Sequence, residues 1–202
     1  MTDEKRTYRK KRRAELEAQT RLRITDSAIA LHGTLGPART SMSAVAEHAG
    51  VRRSTVYRHF PDEATLFAAC TGHWMALNPP PDIGRWAAIA DPGERLGTAL
   101  SELYGYYAGT ERMMENVHRD EATVPIVKRM LAQFRDYLSG ARDTLLAGRK
   151  ARGQNRRRVE AAIGHALAFP TWHSLTREQG LDNGQAVDLM CRLVEAATRP
   201  PD

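Results

Sequence analysis

Residues 40–60, TSMSAVAEHAGVRRSTVYRHF, decide the fold of this chain. Apolar residues fall at helical spacing on both sides of Gly50. A glycine can adopt the positive φ that a tight turn between two helices requires. Before the first of these helices, Thr40 and Ser41 offer side-chain oxygens to its first backbone N–H groups. The pattern therefore predicts a helix-turn-helix.

The spacing of the small and aliphatic residues agrees with this interpretation. Ala46 precedes Gly50 by four residues, and Val56 follows Ala46 by ten. The two helices of such a motif cross closely, so the first needs a small residue at the crossing and the second must return an aliphatic residue onto it. A chance pair of short helices around a glycine is the alternative. It does not explain why helix starts, turn and packing positions all agree.

The outward face of the second helix consists almost wholly of hydrogen-bond donors. Donors of this kind suit phosphates and the edges of bases. The residues of this face are Arg52, Arg53, Ser54, Thr55, Tyr57, Arg58 and His59.

The positive charge of the chain is concentrated in the same segment. The 202 residues carry a formal net charge of +6. Residues 1–60 hold 13 Lys/Arg against 6 Asp/Glu, whereas residues 61–202 hold 17 against 18. This division is expected if the N-terminal segment meets a polyanion and the remainder does not. A basic terminus that serves only solubility is the alternative.

Composition and missing motifs exclude several classes of protein. There is no apolar run long enough to cross a bilayer and no apolar segment after the charged N-terminus, so we expect a cytoplasmic protein without a membrane partner. Cys70 and Cys191 are too isolated for a zinc site and fit reduced thiols. We find no nucleophile elbow, phosphate-binding glycine loop or HExxH, and therefore expect no enzyme, cofactor or metal site.

The helical periodicity predicts an all-α fold, since no alternating strand pattern occurs. Residues 1–13 have no apolar periodicity, and we expect a basic arm that is disordered until it meets DNA. A helix follows over residues 14–32, with Leu22, Ile24 and Ala28 in its core-facing stripe. Asp62 caps a fourth helix that ends near Asn78.

The remaining two thirds predict further helices. Short ones are expected over residues 82–90 and 111–117, on either side of a longer one that begins at residues 91–92. A long helix follows to about residue 149, and the basic run 149–158 is interpreted as an exposed loop with a helix start. The last two helices cover residues 156–178, with a kink at Pro170, and residues 183–198.

Residues 23–67, RITDSAIALHGTLGPARTSMSAVAEHAGVRRSTVYRHFPDEATLF, resemble the N-terminal domain of TetR-family transcriptional regulators. The shared features are a long first helix, two hydroxyl residues before the motif, an Ala-Gly-Val turn, a Thr-x-Tyr-x-x-Phe recognition helix, and an acidic cap followed by Leu-Phe. The resemblance covers the first third of the chain. It implies a three-helix DNA-binding domain in residues 1–60 and a larger helical ligand-binding and dimerisation domain in residues 61–202.

The resemblance also implies contacts with DNA. Phosphate contacts are implied for Thr40, Ser41, Tyr57 and His59, and base-edge or phosphate contacts for Arg52, Arg53, Ser54, Thr55 and Arg58. This chain departs from the family pattern at three positions. Arg52 replaces a small capping hydroxyl residue, Glu63 replaces a lysine, and His32 replaces an aromatic residue.

The last two helices carry more than one apolar stripe, which predicts a homodimer through them. Two recognition helices in a dimer read a palindromic double-stranded operator. We therefore expect a repressor that a small, mostly apolar effector releases from DNA by shifting the helix that begins at Asp62. The alternatives are an activator of the same fold and a helical nucleic-acid or interaction protein without a regulatory role.

The effector site is predicted from aromatic and polar side chains in the central helices, because a cavity for a small apolar molecule needs both. Ordinary core packing is the alternative for about half of the set. The candidates are Tyr104, Tyr107, Met113, Met114, His118, Phe134, Tyr137, Phe169, Trp172 and His173.

Overall fold

The computed structural model describes residues 3–198 and is helical throughout, which confirms the all-α prediction. No strand occurs within that range. The helices are α1 Asp3–Thr34, α2 Met42–His48, α3 Arg53–His59, α4 Glu63–Leu77, α5 Ile83–Ala87, α6 Pro92–Asp120, α7 Pro125–Leu146, α8 Gly153–Leu167, α9 Phe169–His173 and α10 Asn183–Thr198. A 3₁₀ turn, Pro37–Arg39, precedes α2, and a π-helical turn, Ser174–Glu178, follows α9.

The chain forms two compact units. The first runs up to Pro79 and includes Glu115–Lys128, and the second comprises Pro80–Met114 and the chain from Arg129 onward. Helix α6 is continuous, so its last turns belong to the first unit and the remainder to the second. The domain boundary after residue 60 stays a prediction.

Helix α1 is longer than predicted. It begins at Asp3, so residues 3–13 are helical and the expectation of a disordered arm is wrong for them; residues 1 and 2 lie outside the described residues. Arg, Lys, Glu, Ala and Leu are good helix formers, and the Arg13–Glu17 pair, 3.0 Å apart, adds support at i, i+4. Leu22 was also misplaced, since it is 48% exposed and does not face the core.

Helix α6 has no break at residue 111, so the separate short helix predicted there is instead part of a 29-residue helix. Gly109 and Thr110 precede residue 111, but neither interrupts the helix. A glycine costs an exposed helix only about 1 kcal/mol, and Thr110 bonds back to the carbonyl of Tyr106 at 2.7 Å without leaving the helix. The buried face, with Leu103 and Tyr107, outweighs this cost.

The interruption predicted at Pro170 is present, but as a break between two separate helices and not as a kink within one, and its neighbours explain two buried tyrosines. Helix α8 ends at Leu167 and α9 begins at Phe169. Proline has no N–H to donate to the carbonyl four residues earlier, that of Ala166. The hydroxyl of Tyr104 donates to Ala166 O at 2.9 Å, and that of Tyr107 to Leu167 O at 2.7 Å. Tyr104 and Tyr107 thus satisfy the carbonyls at the break.

Helices α8 and α10 pack against each other within the second unit. Val159 and Ile163 of α8 and Met190 and Val194 of α10 are buried. Among the residues that the structure describes, no helix is both long and apolar enough to cross a membrane.

Candidate nucleic-acid interface

A single buried cluster supports the helix-turn-helix from beneath. Ile24 of α1, Val45 and Ala46 of α2, and Val56 and Phe60 at the second helix belong to it, each with at most 4% of its surface exposed. Ala46 and Val56 are the residues that the sequence placed at the helix crossing. Burial of an aliphatic or aromatic side chain contributes about 1.5–3 kcal/mol. The cluster therefore fixes α2 and α3 on α1.

The turn between α2 and α3 depends on Gly50. Its φ is +63°, in the left-handed region that glycine adopts without strain. The N–H of Gly50 donates to Glu47 O, and that of Val51 to Ala46 O, both at 3.0 Å. These are the two bonds of a Schellman motif, which satisfies the last carbonyls of the helix. The predicted turn is confirmed.

Only one of the two hydroxyl residues before α2 caps it. Ser41 Oγ accepts the N–H of Ala44 at 3.1 Å, whereas Thr40 Oγ1 donates to Gly36 O at 2.8 Å. The capping role expected of Thr40 is therefore wrong, because its hydroxyl is used by the preceding turn. Ser41 is exposed and Thr40 half-buried, both at the start of α2. Their phosphate contacts stay predictions.

Helix α3 buries Val56 and leaves a polar face exposed. Arg53 and Tyr57 lie one turn apart on that face, and Arg53 Nη2 donates to Tyr57 Oη at 3.1 Å. The guanidinium carbon also lies 5.4 Å from the centre of the tyrosine ring. The remaining predicted contacts on or beside α3 are the exposed Arg52, Ser54 and Arg58 and the half-buried Thr55 and His59. Arg52 stands at the N-cap without a side-chain cap, as the sequence suggested.

The C-terminal end of α3 is held by Arg21, which sequence reasoning missed. Arg21 Nη1 donates to His59 O at 2.6 Å, and its guanidinium carbon lies 4.1 Å from the centre of the Phe60 ring. The pKa of His59 is lowered by partial burial and by the charges of Arg58 and Arg21. The ring of His59 is therefore neutral at neutral pH, and its contact with DNA stays a prediction. No local pattern marks Arg21, because its partners lie 38 or more residues away.

The end of α6 caps the end of α1. Asn116 Nδ2 donates to His32 O and Gly33 O, both at 3.0 Å, and Arg119 Nη2 donates to Leu35 O at 2.9 Å. The last carbonyls of a helix have no partner inside it, so these side chains supply the missing bonds. Sequence reasoning could not find this cap, since its partners are more than 80 residues apart.

Gly36 lies against the same side chains. Its φ is +94°, and a Cβ there would collide with the guanidinium of Arg119 and lie 2.5 Å from Asp120 Oδ2. The same carboxylate oxygen accepts the N–H of Ala38 at 2.9 Å, just before α2. The close approach of Asp120 to the backbone therefore requires glycine at position 36. We call Asn116, Arg119 and Asp120 the α6 clamp.

Hydrogen bonds set the charge state of Asp120, and burial sets that of the neighbouring His32. Burial raises the pKa of the Asp120 carboxyl, but the hydrogen bonds from Arg119 and Ala38 lower it more, so that its pKa lies below the usual value. Burial lowers the pKa of His32 to about 4, against a smaller opposing effect of Asp120. The His32 ring lies 5.4 Å from that of Phe67. At neutral pH Asp120 of the clamp is therefore ionised, and His32, whose carbonyl Asn116 binds, is neutral.

Most of the predicted effector residues form one aromatic cluster in the second unit. Neighbouring rings have centroids 5.4–6.4 Å apart, and Tyr106, which sequence reasoning missed, joins them. The predicted members are Tyr104, Tyr107, Phe134, Tyr137, Phe169, Trp172 and His173. Met113 and Met114 are also in this unit, whereas His118 belongs to the first.

The polar atoms of several cluster residues already have partners. Trp172 Nε1 donates to Asn183 Oδ1 at 2.9 Å, and Tyr137 Oη donates to Pro81 O at 2.8 Å. Tyr104, Tyr107 and Trp172 are fully buried, while Phe134 and Tyr137 are half-buried. Burial raises the pKa of Tyr106 to about 12, so its phenol is neutral. The assignment of these residues to an effector stays a prediction.

Comparison with known proteins identifies the N-terminal segment and the fold. Residues 24–70 match the family model described as "Bacterial regulatory proteins, tetR family". A TetR-like transcriptional regulator from Rhodococcus sp. RHA1 is similar in structure, with a TM-score of 0.63 and 18% identity over 87% of this chain and 93% of that one. A second transcriptional regulator from the same Rhodococcus has a TM-score of 0.59 and 19% identity, over 90% and 99%.

A TetR transcription regulator from Haloarcula marismortui has a TM-score of 0.59 and 12% identity, over 90% of this chain and 97% of that one. No curated protein matches the sequence. At these identities the solved structures share the fold with this chain, and the family model supplies the link to DNA binding. Residues 24–70 therefore match the regulatory segment of the tetR family, and along most of its length the chain has the fold of solved TetR-like transcriptional regulators.

Proposed function

We propose that this protein is a repressor that binds a palindromic operator as a homodimer and is released by a small, mostly apolar effector. The observation that carries the proposal is the polar face of α3, where Arg53 and Tyr57 are joined by a hydrogen bond and stand outside the buried cluster. A guanidinium offers two parallel donors to a guanine edge, and a phenol offers one donor to a phosphate. Arg53 and Tyr57 therefore act together in recognition.

The apolar surface of α10 supports dimerisation. Leu189 and Leu193 lie one turn apart and are 37% and 49% exposed, whereas Met190 and Val194, on an adjacent face of α10, are buried. An isologous contact across a two-fold axis would cover this surface in both protomers. The same axis would present two α3 helices to successive half-sites of one duplex.

Release by an effector is proposed to act through α6. This helix carries Tyr104 and Tyr107 of the aromatic cluster, and its last turn carries the α6 clamp on α1. An effector that displaces Phe134 or Tyr137 from the cluster would shift α6 and weaken the bonds that hold the start of the helix-turn-helix. A coupling free energy of about 1–3 kcal/mol would lower operator affinity roughly 5- to 150-fold. The α6 clamp offers a second route to the helix-turn-helix, besides the shift of α4 expected from the sequence, since α4 packs on α1.

Selection from a random 40-base-pair duplex pool supplies a probe for the test. We expect Arg53→Ala to lower affinity for the selected duplex by about 1–3 kcal/mol and to relax preference at one base position. Tyr57→Phe should weaken binding to all sequences alike, because it removes a phosphate donor. Arg157→Ala, an exposed cation of α8, is the matched control and should bind like the wild type.

Circular dichroism checks that both variants keep the helical fold, which is expected because Arg53 and Tyr57 are exposed. If Arg53→Ala and Tyr57→Phe both bound the selected duplex as tightly as the wild type, α3 would not be the recognition helix.

A further inference from the structure

Helix α1 extends far beyond the core that it supports. Every side chain from Arg6 to Gln19 is exposed, and the first buried residue is Ile24. At 1.5 Å per residue, the stretch between Arg6 and Arg21 is about 22 Å long. The N-terminal half of α1 is therefore a projecting helix, which we call the helical arm (residues 6–20).

Four cations of the helical arm lie on one face. Arg6, Arg9, Lys10 and Arg13 are spaced at i, i+3, i+4 and i+7, which places them within an arc of roughly 100° on an α-helix. We call these four residues the cationic stripe. Lys11 and Arg12 follow directly in sequence but point about 140° and 240° away from Arg6 at about 100° per residue. The basic run thus divides into two faces.

The cationic stripe shares its face with the part of α1 that packs on the helix-turn-helix. Ile24 follows Arg6 by eighteen residues, which is five full turns, so both lie on the same side of the helix. Between them Arg21 donates to His59 O at the end of α3. The charge of Glu17, on the same side, raises the pKa of His59 against the larger effect of burial. The stripe therefore continues the side of α1 that faces the recognition helix.

We infer that the cationic stripe contacts phosphates of the same DNA duplex, next to the bases read by α3. The stripe places four cations along about 10 Å of helix, and duplex DNA carries one negative charge per about 1.7 Å of its axis. Only Arg13 has an acidic neighbour among the described residues of the arm, the exposed Glu17 at 3.0 Å. This inference rests on the proposed function. In place of the disordered arm expected from the sequence, it assigns the DNA contact to one face of a helix.

Two double variants test the inference. Each removes one arginine and one lysine, at neighbouring positions of the chain, so the two variants have the same net charge and composition. Arg9→Gln with Lys10→Gln removes two cations from the stripe, and Lys11→Gln with Arg12→Gln removes two from the other faces. Glutamine is nearly as good a helix former as arginine or lysine, so both variants should keep the helix. The affinity of the full chain for the selected duplex, and for a random-sequence duplex of the same length, is measured between 50 and 200 mM NaCl.

Each phosphate contact contributes about 0.9 to the slope of log affinity against log salt concentration. The stripe variant should therefore have a slope smaller by about 1.8, on both duplexes, and lose about tenfold less affinity than the wild type over this salt range. The control variant should change the slope by less than half as much. The preference for the selected over the random duplex should stay unchanged in both variants.

Equal changes in the two variants would show a diffuse charge effect and overturn the inference, as would an unchanged slope in the stripe variant. Either result leaves the proposed function intact if Arg53→Ala still loses sequence preference. If the wild type itself has no sequence preference, the proposed function fails, and the inference about a site beside the recognised bases fails with it.

Discussion

Replacement of Gly36 by alanine tests how the α6 clamp holds the start of the helix-turn-helix. At φ +94° and ψ 158° the backbone of Gly36 lies in a region that is essentially restricted to glycine, and another residue there costs about 1–3 kcal/mol. The new Cβ would also lie 2.5 Å from Asp120 Oδ2. The Asp120 side chain is only 6% exposed, so it can move only by giving up its bond to the N–H of Ala38. Loss of such a buried partner costs about 1–3 kcal/mol.

We therefore expect Gly36→Ala to lower the free energy of unfolding by about 2–6 kcal/mol. Gly50→Ala is the matched control. Its φ is +63°, but a Cβ there meets no atom within 4 Å, so only the backbone cost of about 1–2 kcal/mol applies. Urea unfolding measures the free energy of unfolding of both variants. The protein concentration is kept the same, because the apparent stability of a dimer rises with concentration.

A double variant separates the two neighbours of the new methyl group. Arg119 has a long side chain that can swing aside, whereas Asp120 cannot, so Gly36→Ala should remain costly in an Arg119→Ala background. Hydrogen exchange should also rise in residues 36–50 of Gly36→Ala. Equal losses of stability in Gly36→Ala and Gly50→Ala would refute the reasoning, because the cost would then come from the backbone alone.

Two further predictions concern pH and assembly. The pKa of His32 is about 4 in the folded protein and about 6.5 in the unfolded chain, so the unfolded state binds more protons between these two pH values. The contribution of His32 to stability is therefore complete above about pH 6.5 and is lost as the pH falls to 4. His32→Gln should flatten the dependence of unfolding free energy on pH in that window, and an unchanged dependence would contradict the assignment. Replacing Leu189 and Leu193 together by serine should give a monomer in analytical ultracentrifugation. The control replaces Asp188 and Arg192, an exposed ion pair 2.9 Å apart on the same helix, by serine. If both variants dissociate alike, the two leucines do not form the dimer contact.

Local patterns sufficed for the helix-turn-helix because its determinants are short-range. The left-handed Gly50, the cap by Ser41 and the crossing of Ala46 with Val56 each depend on residues within a few turns. The interruption at Pro170 was predictable for the same reason, since proline lacks a donor wherever it stands. These features follow from backbone chemistry rather than from tertiary contacts.

Other features could not be found from the sequence because partners far along the chain decide them. Arg21 and Asn116 resemble ordinary polar residues of amphipathic helices until their bonds to His59 and His32 are seen. Helical periodicity does not distinguish a ligand cavity from a packed core. Tyr104 and Tyr107 illustrate the difficulty, because their hydroxyls donate hydrogen bonds to backbone carbonyls at the α8–α9 break.

The arm was misjudged for a different reason. A dense run of like charge suggested disorder, but the same residues are strong helix formers and continue a helix already nucleated by the packed turns around Ile24. Extending a helix costs far less than starting one, so the packed part determines the state of the exposed part.

The affinity ratio between a selected palindromic duplex and the same duplex with one half-site scrambled tests the central claim most directly. Fluorescence anisotropy at 150 mM salt measures the affinity of the 202-residue chain for both duplexes. A dimer that reads each half-site with one α3 predicts a ratio of at least about 10³, because each mismatched base pair costs about 1–3 kcal/mol. A ratio near one, with both duplexes bound equally, would contradict the account.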